Sequence, residues 1–126
     1  MRLILSALLI MLSLSGCRQP DYDYQELMTK PALLARAIDY CKSINFMTEN
    51  CKLVHRASSD FQTLINTRAR NPLAFGWIVL NAESNLEVFQ KLYKTNKNRQ
   101  FRRAYEAQQL KVNVLLAVLE ATSTDF

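Results

Sequence analysis

The chain has 126 residues and a formal net charge of +5, with 16 lysines and arginines, 11 aspartates and glutamates and one histidine. This length allows one domain with a modest core, and the single His55 excludes a metal site built from several histidines. Two glycines and three prolines are few among so many residues that favour helices, so the composition predicts an all-α fold.

The first 16 residues are typical of a secretory signal peptide. Arg2 supplies a positive charge, an uncharged apolar segment of about a dozen residues follows, and small residues precede the predicted cut between Gly16 and Cys17. The apolar segment is shorter than the roughly 20 residues that a membrane-spanning helix needs. We therefore predict that residues 1–16 are a targeting segment.

The end of this segment, Leu14-Ser15-Gly16-Cys17, resembles the lipobox of bacterial lipoproteins. The resemblance implies that a diacylglycerol is attached to the thiol of Cys17, that the chain is cut before this residue, and that the new amine is acylated. A thiolate is the nucleophile that takes the lipid. Several acyl chains anchor a protein stably, whereas a single chain binds a membrane only marginally. The alternative is an ordinary signal peptide followed by a chance cysteine.

Arg18 follows the predicted lipidation site. In Gram-negative lipoproteins an aspartate at this position favours retention in the inner membrane, so its absence favours a lipid anchor in the outer membrane, facing the periplasm. The next residues are polar and include Pro20, which is typical of a short tether. We predict a lipidated tether over residues 17–23 and a single helical domain over residues 24–126.

Two cysteines, Cys41 and Cys51, remain once Cys17 carries lipid. Export places the chain in an oxidising compartment, where an even number of cysteines is typical of a disulfide. The bond would close a short loop and stabilise the fold by about 2–3 kcal/mol. The alternative is a pair of buried free thiols.

The predicted domain begins with one helical turn over residues 24–28. Thr29-Lys30-Pro31 indicates the start of a longer helix, with Thr29 as its N-cap and the proline in its first turn. This helix should end near Lys42. Its apolar side chains at helical spacing are Leu34, Ile38 and Cys41 along one line, and Leu33, Ala37 and Tyr40 along the next.

A second long helix follows, with Asn50 as its predicted N-cap and an end near Arg70, because Pro72 disfavours helix in the residue before it. Its apolar stripe contains Cys51, Val54, Ser58, Phe61 and Ile65. A disulfide from Cys41 would then join the last turn of one helix to the first turn of the next and fix the corner between them.

The C-terminal part of the chain predicts an antiparallel helical hairpin. Asn71-Pro72 begins its first helix, a polar break follows at residues 95–99, and the second helix extends over about residues 100–121. The first helix has the clearest amphipathic stripe, formed by Phe75, Ile78, Ala82, Leu86, Phe89 and Tyr93; the second carries Phe101, Tyr105, Val112, Leu115 and Leu119. The predicted fold is a small bundle of about four helices that ends in this hairpin.

The sequence offers little for catalysis. A single histidine in a helical segment, such as His55, is more often a surface or half-buried side chain than a base. The chain has no glycine-rich phosphate loop, no paired-cysteine zinc spacing and no convincing pair of carboxylates. We predict no enzymatic activity, no cofactor, no metal site and no small-molecule substrate.

Six cations and no acid lie within thirteen residues around the predicted hairpin tip: Lys91, Lys94, Lys97, Arg99, Arg102 and Arg103. Such a cluster favours an acidic partner, which would be lipid phosphate, a cell-wall polymer or an acidic protein surface. An exported, membrane-tethered location argues against nucleic acid. The alternative is a solvated turn between charged helix ends. Lys97, Arg99, Arg102 and Arg103 are the candidate partner-binding residues of this cluster.

Trp77 is a further candidate for partner binding. It lies beside Gly76 and off the main stripe of its helix. An aromatic residue at such a position is more often part of the core. If it is exposed instead, it is the best anchor for an interaction, because tryptophan is enriched in binding hot spots.

The first 60 residues or so also resemble small lipoproteins of conjugation entry exclusion. The resemblance rests on the lipobox, on the segment from Tyr24 to Pro31, and on Leu34, Cys41, Asn50-Cys51, Val54 and Ala57. It implies a lipoprotein encoded with type IV secretion or conjugation machinery. Such a protein blocks redundant DNA transfer at the recipient envelope by contacting the incoming apparatus. By match, Cys17 carries the lipid, and Cys41 and Cys51 form the disulfide.

Two other functions remain open from the sequence. One is a pilotin-like or structural assembly lipoprotein that binds a secretion subunit in a groove between its helices. The other is a hydrolase or an inhibitor of cell-wall enzymes, for which the sequence supplies no set of residues.

Overall fold

The structure is a computed structural model that describes residues 20–44 and 47–123, so the predicted signal peptide, Cys17 and the start of the tether lie outside the described residues. Within those ranges the chain is helical and contains no strand. The helices are α1 (Tyr24–Thr29), α2 (Pro31–Ser43), α3 (Glu49–Arg70), α4 (Pro72–Thr95) and α5 (Arg99–Ser123). The prediction of an all-α fold is confirmed. None of the described helices combines the length with the apolar character that a membrane span requires.

The start of α2 differs from the prediction. Thr29 is the last residue of α1, and its hydroxyl donates to the carbonyl oxygen of Gln25 at 2.9 Å, one turn earlier. The residue before Pro31 is Lys30, which makes no side-chain capping bond. Thr29 therefore does not cap α2, because a threonine hydroxyl inside a helical turn bonds back to its own helix. The N-cap that sequence reasoning missed is Asp23, whose carboxylate accepts from the amide of Gln25 at 2.7 Å.

The N-cap of α3 is Thr48, and the prediction of Asn50 is wrong. The Thr48 hydroxyl accepts from the amide of Cys51 at 3.1 Å. Asn50 lies in the first turn, where its Nδ2 donates to the carbonyl oxygen of Pro20 at 2.8 Å. Asn50 thus holds the tether segment against α3. At the start of α4, Asn71 is the predicted cap and accepts from the amide of Ala74 at 3.0 Å.

The predicted disulfide joins Cys41 and Cys51, with 5.6 Å between their Cα atoms. Both residues are buried, one in the last turn of α2 and the other in the first turn of α3. The bond therefore fixes the corner between these helices as predicted, and the alternative of two free thiols is wrong.

One hydrophobic core lies where all five helices meet. The largest fully buried side chains are those of Phe75, Leu27, Val54, Val118 and Cys51. Two stripes are displaced from the prediction by one position. On α3 Ala57 is buried and Ser58 is only half-buried, and on α4 Val79 is buried and Ile78 is exposed. In each helix the buried residue and the predicted one both lie three or four positions from their stripe neighbours, so spacing alone does not distinguish them, and the packing of the helices decides.

The predicted hairpin is formed by α4 and α5, which pack against each other as the most extensive helix pair of the described chain. Gln108 Nε2 on α5 donates to the carbonyl oxygen of Ala82 on α4 at 2.9 Å. At the other end of the bundle, Arg68 on α3 donates to the carbonyl oxygen of Leu119 at 3.3 Å. These two hydrogen bonds connect α5 to α4 and to α3, respectively.

Candidate functional site

The distal part of the hairpin extends beyond the core. On α4 the last side chain that packs against the core is Leu86, and on α5 the first is Val112. We call residues 87–111 the hairpin arm. At 1.5 Å per residue, α4 continues about 13 Å past Leu86 before it ends. The part of the arm nearest its tip is therefore held mainly by contacts between its own two helices, whereas Ala107 and Leu110 at its base also border α1.

Aromatic side chains make those contacts. Phe89, Tyr93, Phe101 and Tyr105 are all half-buried. The rings of Tyr93 and Tyr105 stack, with 6.0 Å between their centroids and 14° between their planes. The predicted stripes of both helices thus continue into the arm, where they pack on each other instead of on the core.

The predicted basic cluster forms the end of this arm, and all six of its cations are exposed. Arg102 Nε lies 3.6 Å from Glu106 Oε1, and both side chains are more than half exposed. An exposed pair at this distance contributes little. The end of the arm therefore presents a strongly positive surface.

A polar cavity of about 180 Å³ lies at the tip and is lined by Tyr93, Lys97, Asn98, Arg99 and Arg102. The Asn98 side chain accepts from the amide of Phe101 at 2.9 Å and so caps the first turn of α5. The positive end of the α5 dipole thus points towards the same place as the cations. This arrangement suits a carboxylate or phosphate group on a partner surface.

The structure brings some of the predicted residues together and separates others. Lys97, Arg99 and Arg102 surround the tip cavity, whereas Arg103 lines a different depression, beside Gln25 and Glu106. Trp77 is near the opposite end of α4, about 27 Å along the helix from Thr95. Trp77 and the tip cations therefore belong to two separate surfaces.

Trp77 is 60% exposed and is therefore not part of the core, which leaves it a candidate for partner binding. It lies on an apolar strip that sequence analysis did not single out. Leu73, Trp77, Leu80 and Val88 are each more than half exposed and follow one another by steps that keep them on the side of α4 opposite Phe75. We call these four residues the outer face of α4. Their spacing was a signal in the sequence, but only one stripe was assigned to this helix.

An apolar groove with a volume of about 370 Å³ lies between α1, α3, α4 and α5. It is lined by Tyr24, Gln25, Met28, Leu64, Ile78, Ala107, Leu110, Lys111, Val114 and Leu115. Residues from four helices form it, which is why no single segment of the sequence indicated it.

Tyr24, at one end of this groove, makes two polar contacts with α3. Its hydroxyl donates to Asp60 Oδ2 at 2.5 Å, and the Arg56 guanidinium lies 4.7 Å from its ring centroid. Burial raises the pKa of Tyr24 above its ordinary value, and the hydrogen bond and charge of Asp60 raise it further, against the opposite effect of Arg56. These contacts fasten α1 to α3.

His55 is exposed on α3. Within the described ranges no group of three or more histidine, cysteine, aspartate or glutamate side chains is arranged to hold a metal ion. The candidate surfaces of the described chain are therefore the arm tip, the outer face of α4 and the apolar groove.

Comparison with known proteins adds no family to these observations. No protein-family model, no curated protein and no solved structure matches the chain.

Proposed function

We propose that this protein is a lipid-anchored, non-enzymatic lipoprotein of the conjugation entry-exclusion type, and that the hairpin arm contacts its partner. The observation that carries the binding role is the arm itself, which presents exposed cations about 13 Å beyond the last core-packing residue of α4. The lipobox at Cys17 and the pattern of Cys41 and Cys51 support the entry-exclusion class.

The partner in this proposal is an acidic protein surface of a type IV secretion or conjugation apparatus. Exposed cations at the end of an arm accelerate encounter with such a surface and set its orientation. Because Arg99, Arg102 and Lys97 are solvated, this attraction weakens as salt is raised. No cofactor, nucleic acid or small substrate takes part.

The lipid anchor confines the arm to the envelope, in this proposal at the periplasmic face of the outer membrane. There the arm contacts either an incoming apparatus from a donor cell or the apparatus of its own cell. Binding to it would block a second transfer of DNA without any chemical step.

A mating assay tests the function. Recipient cells that express the protein should receive fewer transferred plasmids than cells with an empty vector. Replacement of the lipidated residue, Cys17→Ser, should restore transfer, because the protein then lacks its anchor. Undiminished transfer from donors of several related conjugation systems would refute the entry-exclusion function.

A pilotin-like role is the second candidate, and the apolar groove favours it. Met28, Leu64 and Leu110 line this groove with apolar side chains, which suits the apolar face of one amphipathic helix. In that case an outer-membrane channel subunit should co-purify stably with the protein. A charge in the groove, Leu110→Glu, should release the subunit, whereas charge reversal at the arm tip should not.

A further inference from the structure

The outer face of α4 is an apolar surface that the described helices leave uncovered. Leu73 is 75% exposed, Trp77 60%, Leu80 56% and Val88 52%. A helix that is apolar on two opposite sides normally buries both. The side that carries Phe75 is in the core, so the opposite side lacks a cover among the described residues.

We propose that this face binds the same face of a second copy of the chain, with the two α4 helices antiparallel. A twofold axis between Trp77 and Leu80 places Trp77 of each copy against Leu80 of the other. The same register places Leu73 opposite Ser84, so that a large side chain meets a small one. From Leu73 to Ser84 the matched strip is about 16 Å long.

The charges at the edges of the strip agree with this pairing. In the same register Glu87 of one copy lies opposite the start of α4 in the other. The positive end of the helix dipole is located there, and Arg70 is exposed beside it. The twofold symmetry repeats this attraction at both ends of the interface.

A lipid surface fits the face less well. Glu83 and Glu87 are both exposed near the edge of the strip, and anionic headgroups repel them. The six cations of the chain's basic cluster lie at the far end of α4 and do not surround Trp77.

The area is that of a weak but specific dimer. Within the matched strip, Leu73, Trp77 and Leu80 are each more than half exposed and together supply on the order of 400 Å² per copy. With their neighbours, two copies bury roughly 1,000 Å², near the lower limit for specific interfaces. Confinement to a membrane by the proposed lipid anchor raises the effective concentration and favours such a dimer.

The experiment uses the full-length protein in intact cells, expressed as two copies with different epitope tags. A photo-crosslinking amino acid replaces Trp77. Irradiation should give a species of twice the monomer mass that contains both tags. The same amino acid at Asn85, which is exposed on another side of α4, should give little of this species.

A charge on the face should then remove the product. Leu80→Glu in the Trp77 crosslinking background should lower its yield at least about 10-fold, as expected for a central interface residue. Asn85→Glu adds the same charge elsewhere on α4 and should change the yield less than about 2-fold. Ser84→Arg, at an exposed polar position, provides a second blocking variant if Leu80→Glu lowers the amount of protein.

Three outcomes overturn the proposal. They are crosslinking at Trp77 to another protein or to lipid without the doubled species, equal yields from Trp77 and Asn85, and a yield that neither Leu80→Glu nor Ser84→Arg reduces. The mating assay is independent of this test, because it measures DNA transfer and not the oligomeric state of the protein.

Discussion

At the scale of single residues, the ends of the helices show how far the sequence can be interpreted. Asn71 was identified correctly, because a proline directly follows it and fixes the start of α4. Thr48 and Asn50 are both good caps and lie two residues apart, so composition does not choose between them. In the structure Thr48 is the cap, and the Asn50 side chain donates instead to the carbonyl oxygen of Pro20, thirty residues earlier and outside the segment that sequence reasoning considered for this helix.

Replacement of the cap tests this assignment. Thr48→Ala should lower the free energy of unfolding by about 1 kcal/mol, because the amide of Cys51 loses its acceptor. Urea denaturation measures the change. Thr63→Ala is the matched control, since the Thr63 hydroxyl bonds back to Ser59 within α3 and caps nothing. If the two variants are equally stable, Thr48 is not the cap.

The raised pKa of Tyr24 makes stability depend on alkaline pH. Because the folded protein holds the Tyr24 proton more tightly than the unfolded chain, this stability is present below the ordinary value of 10.0 and is lost as pH rises through the folded pKa. Burial also raises the pKa of Tyr22. The nearby Tyr40 raises this pKa further, and the charge of Arg36 lowers it. Stability should therefore fall above about pH 10.

The Tyr24→Phe variant separates the two tyrosines. It should be less stable at neutral pH by about 1 kcal/mol, because the bond to Asp60 is lost. Its alkaline decline should be shallower than that of the native protein, since only Tyr22 contributes. Denaturant unfolding across about pH 8 to 11 measures both effects. Parallel curves for the two proteins would contradict the role of Tyr24.

At the scale of helices, spacing was a better guide than capping. The hairpin was predicted almost to its ends because its apolar residues repeat regularly and a polar break separates its halves. The outer face of α4 was missed although Leu73, Trp77 and Leu80 also repeat regularly, because a single buried side was expected for this helix. The sequence also does not reveal where the core stops, because Phe75 and Tyr93 belong to the same stripe.

The difference between those two positions is measurable. Phe75→Ala should destabilise the fold by about 3–5 kcal/mol, because Phe75 is fully buried in the core. Tyr93→Ala should lower the free energy of unfolding much less than Phe75→Ala, since it removes only the stacking with Tyr105 in the arm. Amide exchange should accelerate in residues 87–111 of the Tyr93 variant and remain unchanged in α2 and α3. A uniform acceleration would show that the arm is part of the core unit.

At the scale of the whole molecule, the groups that stabilise the fold lie apart from the exposed cations. The disulfide and the core occupy one part of the bundle, the predicted lipid precedes α1, and the cations lie at the end of the arm. Among the three candidate surfaces, the basic cluster was visible in the sequence as a charge run. The apolar groove was not, because its lining comes from four helices that only the tertiary structure brings together.

The central claim is that the anchored arm blocks DNA transfer through its cations. The most direct measurement is mating efficiency into recipients that express either the native protein or the variant Arg99→Glu, Arg102→Glu, Arg103→Glu. The native protein should reduce transfer, and the variant should restore it to the level of the empty vector. A control with Arg36→Glu, Lys42→Glu and Lys52→Glu carries the same charge change on exposed sites of α2 and α3 and should still reduce transfer. Equal exclusion by both triple variants would contradict the account.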